Sequence, residues 1–110
     1  MPRNKISTDG EARRYLNSVP EDKVFWSHDG AVLHNMAELS QALNSISNET
    51  FAYHVNPEKN DFANWVKNVI GDEMLATQLF RSHDKGSAAK QVSERLKALQ
   101  KRFPQAMTPS

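Results

Sequence analysis

A histidine beside a carboxylate is the first chemistry this sequence offers. Four histidines, His28, His34, His54 and His83, are scattered along 110 residues. None stands in the His-Glu-x-x-His spacing that sets two imidazoles and a general base on one helix face. The chain has no cysteine, which removes disulfides, thiolate ligands and cysteine nucleophiles. No metal and no cofactor is expected. His54 and Asp61 are the pair whose types would suit proton transfer, because a carboxylate near an imidazole orients it and raises its pKa. Asp61, however, has a sufficient role as a helix cap. His54 lies between Tyr53 and Val55 at the edge of an apolar run, where a half-buried histidine bonded to a turn backbone is the default. There is no G-x-S-x-G elbow. Gly10, Gly30, Gly71 and Gly86 are isolated, so no glycine-rich loop cradles a phosphate. With no catalytic motif in view, the chain reads as a non-enzymatic protein.

Binding chemistry is better represented. Net charge is +1, but the charges are segregated. Residues 1–20 carry four basic and two acidic side chains, residues 21–84 four and ten, and residues 85–110 six and one. Lys90, Arg95, Lys97, Lys101 and Arg102 line the last expected helix, with Lys85 on its approach and Arg3, Lys5, Arg13 and Arg14 as possible additions. Such a cluster could contact phosphates. Against this, the isoelectric point of about 8.1 is modest, no nucleic-acid-reading motif is present, and basic residues near a helix C-terminus also favour the helix dipole. Trp26 is the other candidate contact residue. If the strand around it buries Phe25, then Trp26 and Val32 either face outward as a partner surface or are covered by Tyr15 and Leu16.

These side chains must be held by local elements, and the clearest lie in Phe51 to Ala76. Asp61 can cap a helix, with Asn60 as the competing cap one residue earlier. Phe62, Trp65, Val66, Val69 and Ile70 then fill one face of a 3.6-residue period. Trp65, in the middle of that stripe, should be almost fully buried. Gly71 fits the left-handed position past the helix end. Asp72 starts the next helix, whose apolar face is Leu75, Ala76, Leu79 and Phe80. Upstream, Pro57 makes Asn56 to Lys59 a turn, and Phe51 to Val55 a helical turn or two.

The strings F-x-Y-H-V-N, N-D-F-A-N-W-V and G-D-E-x-L-A in this stretch resemble a family of small archaeal and bacterial domains of unknown function. The upstream F-W-S-H-D-G-A-V-L-H-N-M-A-E-L-S-Q-A-L is similar to that family's opening. The resemblance covers roughly Val24 to Leu99. It implies a compact domain and no particular activity.

The remaining elements follow in order. Residues 1–7 read as a disordered tail. Thr8 and Glu11 have capping-box spacing, and Ala12, Tyr15, Leu16 and Val19 form the stripe of a short helix stopped by Pro20. Two β-prone runs, Lys23 to Ser27 and Ala31 to His34, flank His28-Asp29-Gly30, a hairpin signal. A two-residue loop would pair Trp26 with Leu33; a three-residue loop with a bulge at Gly30 would pair Phe25 with Leu33. The second is preferred, because Phe25 and Leu33 make the better core pair. Asn35 caps a helix with Glu38 at its third position and Met36, Leu39, Ala42, Leu43 and Ile46 on its apolar face. Ser87 can cap the last helix, whose stripe is Ala88, Val92, Leu96, Leu99 and Phe103. Lys90, Glu94, Lys97 and Lys101 lie opposite, and residues 104–110 should fray.

A hairpin alone is unstable in water and must lie against helices. The expected fold is therefore α+β: one β-hairpin, about residues 23–34, packed on about five mostly short helices within a single domain over residues 8–103. The alternative is an all-α bundle in which the hairpin is only a loop. No apolar run approaches the ~20 residues of a membrane helix, no signal peptide is visible, and a cytoplasmic setting is expected. The leading functional expectation is a small interaction module that binds another protein or itself. The alternative is a nucleic-acid-associated protein using the basic C-terminal helix.

Overall fold

The described residues fold as helices carrying two miniature antiparallel hairpins, an α+β arrangement. The structure, a computed structural model, describes residues 9–102. The expectations about Thr8, Phe103 and the two tails fall outside the described residues. Helix α1 spans Asp9–Leu16. It stops before Val19, which had been counted on its stripe. Val19 precedes Pro20, a position that disfavours helical geometry, and its N–H instead donates to His34 O at 2.8 Å. After a single 3-10 turn at Glu21–Lys23, strands β1 (Phe25–Trp26) and β2 (Val32–Leu33) pair antiparallel. Their register is Phe25 opposite Leu33 and Trp26 opposite Val32, the register that buries the better apolar pair. Gly30 takes φ +96°, as the turn requires.

Helix α2 (Met36–Ser45) is capped by Asn35, whose side chain accepts the Glu38 N–H. Glu38 reaches back to His34 N at 2.7 Å, one residue before the cap, a variant of the reciprocal capping pattern. Ser47 caps α3 (Asn48–His54) by accepting the Thr50 N–H. Asn56 to Lys59 is a turn as expected, but it also closes a second hairpin: β3 (Val55–Asn56) pairs with β4 (Lys59–Asn60). Asn56 Oδ1 accepts the N–H groups of both Glu58 and Lys59, which fixes that turn.

Helix α4 (Asp61–Trp65) continues into a wider π turn at Val66–Ile70. The Gly71 N–H bonds Val66 O, five residues back. Gly71 sits at φ +94°, and a Cβ there would come within 2.6 Å of the Arg14 guanidinium. The conformation therefore demands glycine, while the exposed Arg14 side chain could swing aside. Asp72 caps α5 (Glu73–Phe80). Helix α6 (Lys85–Arg102) closes the fold across α2, α1 and α5. Its first turn is held by Asp84, whose Oδ1 accepts the Ser87 N–H at 2.7 Å. The cap is thus Asp84 and not Ser87, because an ionised carboxylate is the stronger acceptor at a helix start.

One core joins these elements. Phe62, Met36, Leu39, Leu43, Leu75, Leu79, Val92 and Leu99 are buried in it. Phe25 stacks on Phe62 with ring centroids 4.9 Å apart and meets Trp65 edge-on at 5.8 Å. Trp65 is 7% exposed, and its indole N–H donates to Lys23 O at 2.8 Å. The inner face of the first hairpin is thereby anchored, which leaves the outer face for other uses. Phe80, assigned to the core face of α5, is 42% exposed. It is the last residue of that helix, where the stripe runs off the core.

Candidate functional site

The sequence-predicted pair His54 and Asp61 is brought together. His54 ends α3 and is 4% exposed. Its Nδ1 lies 2.9 Å from Asp61 Oδ2, and its Nε2 lies 2.9 Å from the His28 backbone nitrogen. A backbone N–H can only donate, so Nε2 carries the lone pair and Nδ1 the proton. The Nδ1–H therefore donates to Asp61. Both nitrogens are occupied by the fold, and no lone pair faces a substrate. The dyad has the parts of a general base but works as a clamp that ties the tip of the first hairpin to α3 and α4.

Asp61 reaches this position because it is not the helix cap. Asn60, buried, accepts the Ala63 N–H at 3.0 Å and donates to Leu79 O at 2.9 Å. An amide both accepts and donates, so it can serve two buried backbone groups where a carboxylate could serve only the N–H. Asp61 is released to bond His54 and Lys59 Nζ, the latter at 3.1 Å. Lys59 also lies over the Tyr53 ring, 5.1 Å from its centroid, and Tyr53 stacks on His28 at 3.8 Å. Tyr53 is 52% exposed. The sequence reading did not single it out. Its partner His28 is 25 residues away, beyond any local spacing.

The outer face of the first hairpin carries Trp26, 70% exposed, opposite half-buried Val32. Tyr15 and Leu16 do not cover it. Val32 also lines a shallow cleft of about 300 Å³ between the hairpin and α2, with Ala31, Glu38, Gln41 and Ala42. The backbone N–H of His34 is the main reason the Glu38 carboxyl lies below its ordinary range. Asp29, on the hairpin tip, is held low chiefly by the Ala31 N–H. Both carboxylates therefore favour the anionic form. A second concavity, about 470 Å³, lies beneath the second hairpin and is lined by Ala52, Val55, Asn56, Pro57 and His83.

The basic helix is less of a unit than its sequence implies. Arg95 is not a free cation. Its Nε and Nη2 reach the two oxygens of Asp72 at 2.6 and 3.0 Å, and Asp72 is 1% exposed. The capping carboxylate needs a counter-charge when buried, and Arg95 supplies it in a bidentate fork. Lys85, on the approach, donates to Ile46 O at 2.8 Å. Lys90, Lys97 and Lys101 are exposed, with exposed Glu94 between the first two. The side chain of Arg102 lies outside the described residues.

Among the described residues no three histidine, aspartate or glutamate side chains gather as metal ligands would. None of the described helices is long and apolar enough to cross a membrane. No protein-family model, curated protein or solved structure matches the chain. The resemblance of residues 24–99 to small domains of unknown function rests on the sequence strings alone.

Proposed function

We propose that this protein is a small non-enzymatic interaction module that binds a protein partner through the outer face of its first hairpin. The observation that carries this is Trp26, 70% exposed on a strand pair whose inner face is locked in the core. A tryptophan left in water forfeits a large apolar burial. Tryptophan is also the residue type most often dominant at protein interfaces. Val32 pairs with it across the strands and lines a cleft with Ala31, Ala42, Glu38 and Gln41, so apolar and polar contacts adjoin the same strand pair. The occupied nitrogens of His54 support the non-enzymatic side of this reading. A cytoplasmic setting fits a chain without cysteine.

The second reading is nucleic-acid association along α6. Exposed Lys90, Lys97 and Lys101 favour it. The commitment of Arg95 to Asp72 and of Lys85 to Ile46 weakens it. A pull-down from the native host, with and without nuclease, tests both. Partners that persist after nuclease and are lost with Trp26→Ser support the module. Partners that vanish with nuclease, and that depend on Lys90, Lys97 and Lys101 instead, overturn it in favour of nucleic acid.

A further inference from the structure

The hairpin face has a charge as well as a shape. Over residues 21–49 the chain carries five carboxylates, Glu21, Asp22, Asp29, Glu38 and Glu49, against the single Lys23. Two of them belong to the hairpin and to the cleft beside it. Asp29 lies on the hairpin tip and bonds Ala31 N, and Glu38 lines the cleft that Val32 and Ala42 help to floor. Glu38 spends Oε1 on His34, on both its N–H and its Nδ1. Its side chain is still 41% exposed, so its other oxygen can meet an incoming donor. The Trp26 ring has one further property. The negative face of an indole attracts a cation, more strongly than any other aromatic side chain does.

These features favour one class of occupant. An acidic or neutral apolar segment would bring its charges or bare carbonyls against Asp29 and Glu38. A purely basic segment would leave the Trp26–Val32 surface and the cleft wet. We infer that the face takes a partner segment bearing a lysine or arginine next to aliphatic residues: the aliphatic side chain enters the cleft between the hairpin and α2, and the cation lies on the Trp26 ring with Glu38 and Asp29 as counter-charges. This rests on the protein-binding reading above and specifies the chemistry of the partner.

The test uses the full chain, labelled with 15N, and three synthetic helical peptides: leucine–lysine, leucine–glutamate and serine–lysine. The leucine–lysine peptide is expected to shift the Trp26 indole N–H and the Val32, Gln41 and Ala42 amides saturably, with a dissociation constant of about 1 mM or tighter. The other two peptides should bind more weakly. Trp26→Leu keeps an apolar side chain without the ring face and should weaken the leucine–lysine peptide about two- to fivefold. Glu38→Gln should weaken it too and reduce its salt dependence. The spectrum of each variant away from the hairpin checks that it is folded.

Equal shifts from leucine–glutamate at Trp26 would overturn the charge class and leave the protein-binding reading standing. Equal shifts from serine–lysine would reduce the effect to bare charge attraction and overturn the aliphatic contact. Shifts that map elsewhere, or none at about 1 mM peptide, would overturn the proposal outright. The protein-binding reading fails separately, on the pull-down. Light scattering of the protein alone covers the remaining occupant. Self-association lost both in Trp26→Leu and in the variant with Lys90, Lys97 and Lys101 changed to Gln would make the occupant the α6 helix of a second copy, and would overturn an external partner.

Discussion

Arg95 grips Asp72 through both carboxylate oxygens, at 2.6 and 3.0 Å, across 23 residues of sequence. The pair locks α6 to the cap of α5, and the carboxylate is 1% exposed. Removing the arginine leaves a buried anion without its partner. Arg95→Ala should therefore cost about 3–5 kcal/mol. Chemical denaturation reads this directly. A loss below about 1 kcal/mol would mean that the bridge is replaceable and that Arg95 is available for another anion.

The junction of β4 and α4 separates two neighbouring residues by role. Asn60→Ala removes a cap and a buried bond to Leu79 O and should cost about 2–3 kcal/mol. Asp61→Asn keeps an oxygen for the His54 Nδ1–H and should cost less than about 1 kcal/mol. Asp61→Ala leaves that donor unsatisfied, at about 1–3 kcal/mol. If Asp61→Ala were neutral in the same denaturation series, the clamp would not hold as described.

His54 gives a readout that catalysis would not. Its Nε2 accepts the N–H of His28, a residue on an exposed turn. That amide should exchange with solvent slowly in the native protein and rapidly in His54→Phe. Fast exchange of the His28 amide in the unaltered protein would release Nε2 as a free base and reopen the question of chemistry.

Acid stability should report Glu38. Its carboxyl is depressed chiefly by the His34 N–H, so the folded state binds its proton less readily than the unfolded chain does. The stabilisation is present in full above the ordinary carboxylate range. It fades as pH falls through the ordinary carboxylate range, about pH 4 to 5, and is lost below the lower folded value. Glu38→Gln should lower stability near neutrality and flatten its fall with acid. An unchanged acid limb would show that the capping contact does not discriminate the ionised form.

Much of this fold could be read locally. The Phe25–Leu33 register followed from which residues deserve burial, and Gly71 from the conformation its helix end demands. The positions that escaped are those decided by partners distant in sequence. Asn60 displaced Asp61 as cap because Leu79 O needed a donor. Arg95 left the basic face because Asp72 was buried. Tyr53 gained its place from His28. The second hairpin was missed for a different reason: a turn with Pro57 after Asn56 specifies a reversal, and only the short ladder of Val55 with Asn60 turns it into strands. Trp26 was legible as a candidate, but whether Tyr15 and Leu16 cover it is a matter of packing that no local pattern decides; it is exposed.

The central claim is that the Trp26 face of the hairpin meets a protein and that α6 does not meet nucleic acid. A photo-crosslinking side chain at position 41, on the exposed rim of the cleft and with Trp26 intact, compared with one at position 97 in the native host, addresses it most directly. Trp26→Ser should meanwhile leave stability within about 0.5 kcal/mol, so that loss of binding in that variant cannot be traced to unfolding. The expected result is protein adducts from position 41 that survive nuclease and are lost with Trp26→Ser, with few from position 97. Adducts from position 97 alone, or adducts to nucleic acid, would contradict it.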